Sequence, residues 1–352
     1  MSALRPWLII LGLSLGPAVS NGFARFAYGL ILPEMRADLG WTYAEAGWIN
    51  TANAIGYLIG AVAALALISR LGPRRLFIAG MWLTAAALLL SALTRDFWAL
   101  SLWRALAGVG GAPAFIAGGV IASALFRDDK RKTALAIALY FGGGGVGMVA
   151  SGGGLPFFVD RFGAEIWPIA WIALGLASAL CFPPAALAAG LAPDPRPTAA
   201  SARRPLPVLA MAPALAAYFM FGLGYIVYIT FLVAWMRDGG ADAALVAATW
   251  ALMGAAVTVA APFWSPLIQR AEGGLAISAT LAASGIGAAL PLFAPGPATI
   301  LASAALFGAS FFMVPSSVTA FGRKNLAEAH SKYFSTFFFV GYRIVFKSGF
   351  TI

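Results

Sequence analysis

Residues 7–33 read WLIILGLSLGPAVSNGFARFAYGLILP, an apolar run that holds one full charge, Arg25. About 20 apolar residues in a row are enough to cross the hydrocarbon core of a bilayer as a helix. At helical spacing Asn21, Arg25, Tyr28 and Leu32 fall on one side, so the polar groups line up instead of scattering. An arginine at bilayer depth is costly, and it is normally turned toward a bundle interior, a cavity or a partner. The competing reading is an arginine that snorkels to the headgroups. That reading leaves Asn21 and Tyr28 on the same face without a reason.

The rest of the chain has the same character. Of 352 residues, 61% are hydrophobic and 10% are charged, against about 25% charged in an ordinary soluble domain. This is the composition of an all-α polytopic membrane protein. The formal net charge of +10 would suit nucleic acid, but the basic residues fall in short loops between apolar runs, so no nucleic-acid partner is expected. Cys181 lies in an apolar run and His330 in a loop, which supports neither a disulfide framework nor a histidine-based metal site. No cofactor is expected.

Spans are predicted at roughly 7–33, 44–68, 76–94, 98–125, 133–158, 166–189, 207–235, 243–268, 274–293 and 297–321, with a weaker segment at 333–352. With the N-terminus in the cytoplasm, fifteen Lys or Arg fall in cytoplasmic loops, and only Arg36, Arg95, Arg161 and Arg237 fall on the other side. Positive charge concentrates on the cytoplasmic side of membrane proteins. The expected location is therefore the bacterial plasma (inner) membrane, multi-pass, with lipid as the surrounding partner.

The stretch 190–206, GLAPDPRPTAASARRPL, breaks the apolar pattern and reads as a cytoplasmic linker. It divides an N-terminal six-helix bundle, 1–189, from a C-terminal bundle, 207–352. Two bundles joined in this way suggest a parallel internal repeat, a common transporter plan. From Ser331 to Ile352 alanine disappears, six phenylalanines enter, and Arg343 and Lys347 interrupt what should be a clean span. The tail 331–352 is therefore expected to be anomalous and the second bundle incomplete, through a frameshift or truncation; a native but divergent end is the alternative.

Glycine crowds the fifth span at Gly142–Gly145, Gly147 and Gly152–Gly154. Small residues let membrane helices approach closely, and repeated glycines also let a helix bend. Eight glycines in thirteen residues favour a functional bend, with Gly142, Gly147 and Gly152 as its markers.

The text NGFARFAYGLILPEMRADLGWTYAEAGWINTANAIGYLIGA, residues 21–61, resembles the opening of the YbfB/YjiJ-type branch of the major facilitator superfamily of membrane transporters. The resemblance covers about residues 5–330. It implies the two-bundle fold of that superfamily, here expected to be truncated at about 10–11 of 12 helices. The loop Ser69-Arg70-Leu71-Gly72-Pro73-Arg74-Arg75 is similar to the superfamily's cytoplasmic gating loop, with Arg70, Gly72, Arg74 and Arg75 in matching places. Ser69 stands where an aspartate is usual. In the fourth span, Arg104-Ala105-Leu106-Ala107-Gly108-Val109-Gly110 resembles the Arg-x-x-x-Gly-x-Gly element associated with proton-linked carriers. The fifth span resembles the antiporter element only loosely, because the usual Gly-Pro pair is absent.

Arg25 and Arg104 are expected at matching depth, each roughly 10–12 Å below the outer end of its helix at 1.5 Å per residue. No Asp or Glu lies well inside any span, so the counter-charge is expected to come from an anionic substrate. Proton coupling would then run through Glu34, Glu45 or the substrate itself. Asn50, Asn53 and Tyr57 add polar groups to the second span, where bonding between helices is the competing use. Tyr218, Tyr225 and Tyr228 line one side of the seventh span, and Trp250, Phe311 and Phe312 follow; they suit either packing or an amphipathic solute. The predicted substrate site comprises Asn21, Arg25, Tyr28, Asn50, Asn53, Tyr57, Arg104 and Tyr225.

The expected function is secondary transport of a small organic solute by alternating access in a monomer, with an anionic solute and proton coupling as the finer expectations. The alternative is an inactive or non-transporting remnant or receptor-like scaffold. An enzyme is not expected, because no nucleophile, metal set or acid–base group is found at depth. A channel would need filter-like segments or a ring of charge, and no nucleotide-binding Gly-rich Lys-Ser/Thr loop occurs.

Overall fold

In a computed structural model of the chain, residues 4–126, 128–193 and 208–325 are described. Among them, ten helices are long and apolar enough to cross a membrane, and each coincides with a predicted span. They are α1 (Arg5–Leu39), α2 (Tyr43–Leu71), α3 (Pro73–Ser91), α4 (Phe97–Ala124), α5 (Lys130–Phe162), α6 (Trp167–Leu191), α7 (Val208–Asp238), α8 (Ala243–Arg270), α9 (Leu275–Phe293) and α10 (Pro297–Gly322). Most of the expected linker and the weak eleventh segment lie outside the described residues.

Local chemistry sets the helix ends. Gly40 takes the left-handed conformation at φ 66° and closes α1. Thr42 then opens α2 with a capping box: its side chain accepts from the Glu45 backbone N–H, and the Glu45 carboxylate accepts from the Thr42 N–H at 2.8 Å. Asp96 and Asp242 do the same single-sided work for α4 and α8, each accepting from a backbone N–H at 2.8 Å. Exposed Leu176, Leu180 and Leu187 form a stripe along α6, while Trp171, Leu174 and Ser178 are buried on its other face. An apolar stripe left outside a well-packed bundle is the face a membrane helix offers to lipid.

The helices form the two-bundle arrangement. In the first bundle α4 packs against α2 and α3, α3 against α6, and α1 against α5 and α6. In the second, α10 packs against α8 and α9. The C-terminal part of α1 lies on α7, and α5 lies along α8, so both helix pairs connect the bundles.

Glycine sets how near these helices come. A Cβ at Gly108 would lie 2.1 Å from the Asn53 carbonyl oxygen, and one at Gly56 would lie 1.9 Å from that of Ala105. The α2–α4 seam therefore closes backbone to backbone. In α5, where a functional bend is expected, an α-helix runs through Gly142–Gly154 and Pro156. Its glycines serve close approach on two sides. Gly147 meets the Ala18 carbonyl of α1, while Gly142 faces Thr258 and Gly152 faces Trp250, both of α8.

A departure from the regular helical period lies in α1, where Ala18–Phe26 is a π-helix with Ala27 donating to the Gly22 carbonyl at 3.1 Å. Each turn of a π-helix holds more residues than an α-turn. The regular spacing that put Asn21, Arg25 and Tyr28 on one face is lost there.

Candidate functional site

Between the bundles lies a cavity of about 400 Å³, lined from α1, α2, α4 and α5 on one side and from α7 and α10 on the other. Arg25 is the one charged residue among its described lining residues. The guanidinium sits 4.9 Å from the centre of the Tyr57 ring and 5.7 Å from that of Tyr225. One ring belongs to each bundle. Each such cation–π contact contributes about 0.5–1 kcal/mol or more when desolvated. No carboxylate pairs with Arg25 among the described residues, and its Nε is buried without a hydrogen-bond partner. Asn21 lies beside it, buried, with its amide donating to Ser20 at 3.3 Å. Four predicted site residues, Asn21, Arg25, Tyr57 and Tyr225, thus meet in one space.

The other four lie elsewhere. Tyr28, expected on the face of Arg25, is fully buried inside the first bundle, and its hydroxyl donates to the Ala46 carbonyl at 2.7 Å. The π-helical turn ahead of it explains the change of face. Arg104 joins Tyr28 there. It is 0% exposed, with its guanidinium carbon 5.3 Å from the Tyr28 ring centre and 4.7 Å from that of Trp171. None of its three side-chain nitrogens has a partner among the described residues. Asn53 donates to the Arg104 carbonyl at 3.0 Å and serves the α2–α4 seam. Asn50 donates to Thr230 of α7 at 2.5 Å, a bond between the bundles.

The aromatic lining is richer than the tyrosine spacing implied. Tyr218, Tyr225, Phe311 and Phe312 reach the cavity, while Tyr228 turns away to a 2.6 Å hydrogen bond with Ser303. Trp250 is buried against Gly152. Phe26, Phe115, Phe141 and Phe221 were not anticipated. Only Phe221 carried a readable signal: with Tyr218 and Tyr225 it makes an i, i+3, i+7 stripe.

The two ends of the molecule differ. At the end with Gly40, Arg36 pairs with Asp238 at 3.7 Å and Arg237 with Asp160 at 3.2 Å, and both bridges cross between bundles. The Tyr43 hydroxyl hydrogen-bonds Asp238 beneath Arg36, whose guanidinium lies 4.2 Å from the Tyr43 ring centre. Glu34 is half-buried near Arg237 and Asp160, with one carboxylate oxygen buried and unbonded among the described residues. Glu45 is exposed and engaged in its capping box. At the other end, Gly72 at φ 77° turns the chain between α2 and α3. Arg74 donates to the carbonyls of Ala189 and Ala192 at 2.8 Å, covering the C-terminus of α6. Arg70 and Arg75 are exposed.

Comparison with known proteins gives the same architecture. A family model described as "Uncharacterised MFS-type transporter YbfB" matches residues 17–343, reaching into the tail that composition set apart. A chloramphenicol resistance protein of Streptomyces lividans is 36% identical over 121 residues, which is 34% of this chain and 30% of that protein. The chain thus aligns with less than a third of that relative's length. Among solved structures, a D-xylose–proton symporter superposes with a TM-score of 0.71 at 14% identity, covering 95% of this chain and 87% of that one. The nucleoside transporter NupG gives 0.65 at 16% identity over 94% and 87%. A bacterial homologue of the human lysosomal transporter Spinster, inward-facing and unoccupied, gives 0.64 at 14% over 97% and 80%. At these identities the likeness is one of fold.

Proposed function

The chain belongs to the family of the MFS-type transporter YbfB, and from that premise we propose that it carries a small organic anion across the bacterial plasma membrane by alternating access. The observation that carries this reading is Arg25: a cation with no carboxylate partner among the described residues, in the cavity between two bundles, held by an aromatic ring from each. A carboxylate bound there would supply the charge-assisted hydrogen bonds that the rings cannot. Because the rings come from opposite bundles, a bound anion would also link the parts that must move against each other.

Loop charge favours a cytoplasmic N-terminus and puts the Arg36–Asp238 and Arg237–Asp160 bridges at the outer face. They would close that face while the cavity is reached from the cytoplasm, and they would separate when it opens outward. For proton coupling, Glu34 is the better of the two candidates. Its carboxyl is half-buried between the bundles, whereas that of Glu45 is committed to capping α2. A single chain supplies every part of this scheme, in keeping with a monomer.

A second reading is export of a neutral aromatic drug, of the kind named for the Streptomyces lividans relative. The apolar rings of the cavity favour it, but it leaves Arg25 without an acceptor.

The test is exchange in proteoliposomes: labelled organic acids and their amides, with the intact chain and with Arg25→Ala. Exchange of one or more acids, lost in the variant, is expected. Unchanged exchange in Arg25→Ala would overturn the anion site.

A further inference from the structure

Resting on the anion reading above, we propose that the ligand of this cavity is an aromatic monocarboxylate whose ring lies along a stack of protein rings while its carboxylate meets Arg25. Tyr218, Phe221, Tyr225, Phe311 and Phe307 follow one another at centroid separations of 4.9–6.1 Å, with interplanar angles of only 16–23°. The first four line the cavity. Side chains from α7 and α10 thus form one continuous wall in which each ring is stacked nearly parallel to the next. Phe26 meets that wall edge-on, at 73° to Phe311 and 82° to Phe312. Across the space lie Tyr57, Phe115 and Phe141 from the other bundle.

Tyr225 joins the charge to the wall. It stacks on Phe221 at 5.0 Å and on Phe311 at 6.0 Å, and its ring also lies 5.7 Å from the Arg25 guanidinium carbon. An acid bound at Arg25 therefore has an aromatic surface starting at its first carbons. A flat ring extends a set of parallel rings by offset stacking or meets their faces with its edge. A saturated ring of equal carbon count is thicker and has no quadrupole to match. The cavity, near 400 Å³, lies in the range of small-molecule sites. A second carboxylate on the ligand would lack a cation, because Arg25 is the one charge in the described lining. A cationic ligand would be repelled by it.

The experiment measures binding of three matched probes to the purified full chain in lipid nanodiscs, with empty nanodiscs as the control for partition into lipid. The probes are phenylpropanoate, cyclohexylpropanoate and phenylpropanamide. Phenylpropanoate is expected to bind about three- to tenfold tighter than the cyclohexyl acid and about tenfold or more tighter than the amide. Tyr225→Leu should erase the preference between rings and keep the preference for acid over amide; Tyr225→Phe should keep both. Arg25→Gln should erase the second preference alone. Helical content and elution volume are compared for each variant, and Phe221→Leu replaces Tyr225→Leu if the latter does not fold.

Equal affinity for the two acids would overturn the aromatic assignment while leaving the anion reading in place. Equal affinity for acid and amide would overturn both. No saturable binding of any probe at millimolar concentration would also overturn the aromatic assignment.

Discussion

Arg25 and Arg104 are the same residue in two apolar helices, neither paired with a carboxylate among the described residues, yet the fold puts them to different ends. Arg25 has space beside it and rings from both bundles around it. Arg104 has no space: its guanidinium lies beside Tyr28 and Trp171 in the first bundle, and its helix is pressed onto α2 through Gly108 and Gly56. A buried cation is thus no marker of a binding site in itself. What distinguishes the two is whether a ligand atom can come within hydrogen-bond distance, and packing decides that.

The largest effect should come from forcing the closed region open. Gly108→Val would drive a side chain into the Asn53 carbonyl, and a loss of about 3 kcal/mol or more is expected. Thermal unfolding in detergent would read it, and a stable variant would mean that the α2–α4 seam is looser than its contacts require. Gly222→Ala, with open space at that position beside the cavity, should by contrast hold stability or raise it by up to about 1 kcal/mol.

Next in size is Arg25→Ala. It should weaken binding of an organic acid by about 1.5–3 kcal/mol, the worth of a hydrogen bond to a charged group, and lower stability by no more than its two ring contacts contribute. Titration of the variant in nanodiscs checks this, and an unaltered affinity would remove the distinction drawn between the two arginines.

Arg104→Met should behave in the opposite way. An apolar chain of similar volume relieves an unpaired buried charge, so stability should hold or rise by about 1 kcal/mol, with acid affinity changed by less than about threefold. A loss of affinity as large as that of Arg25→Ala would place Arg104 in the site after all.

The smallest effect is expected at the clasped end. Asp238→Asn weakens a bridge that is about half exposed, and its contribution is only about 0.2–1 kcal/mol. That is still enough to shift a balanced equilibrium severalfold. Labelling of a single cysteine placed near Tyr43 should therefore become faster, while binding in the cavity changes little.

Local signals made much of this legible. Ten apolar runs became ten helices because a helix satisfies its backbone groups in lipid within a single segment. Asn21, Arg25, Tyr57 and Tyr225 were readable as polar or aromatic exceptions within those runs, and they meet in one cavity. Tyr28 was misplaced because a 3.6-residue period was assumed across a segment that is π-helical. Asn53 and Arg104 were grouped with the cavity because depth along a helix can be counted from sequence, whereas the direction a side chain faces among six neighbours cannot. Phe26, Phe115 and Phe141 gave no signal, since phenylalanine is ordinary in any membrane helix.

By itself the sequence determined the class, the number and order of the described spans, the family and a cation without a partner acid. The class, the spans and the cation follow from composition or from spacing along one helix, and the family from the resemblance of a whole stretch. The tertiary structure alone decided which arginine meets the cavity, that α5 glycines serve contact on two sides, and that rings from α7 and α10 align into one wall. Those depend on how closely two backbones approach and on the turn a helix makes in between, and both are properties of neighbours, not of the residues read one after another.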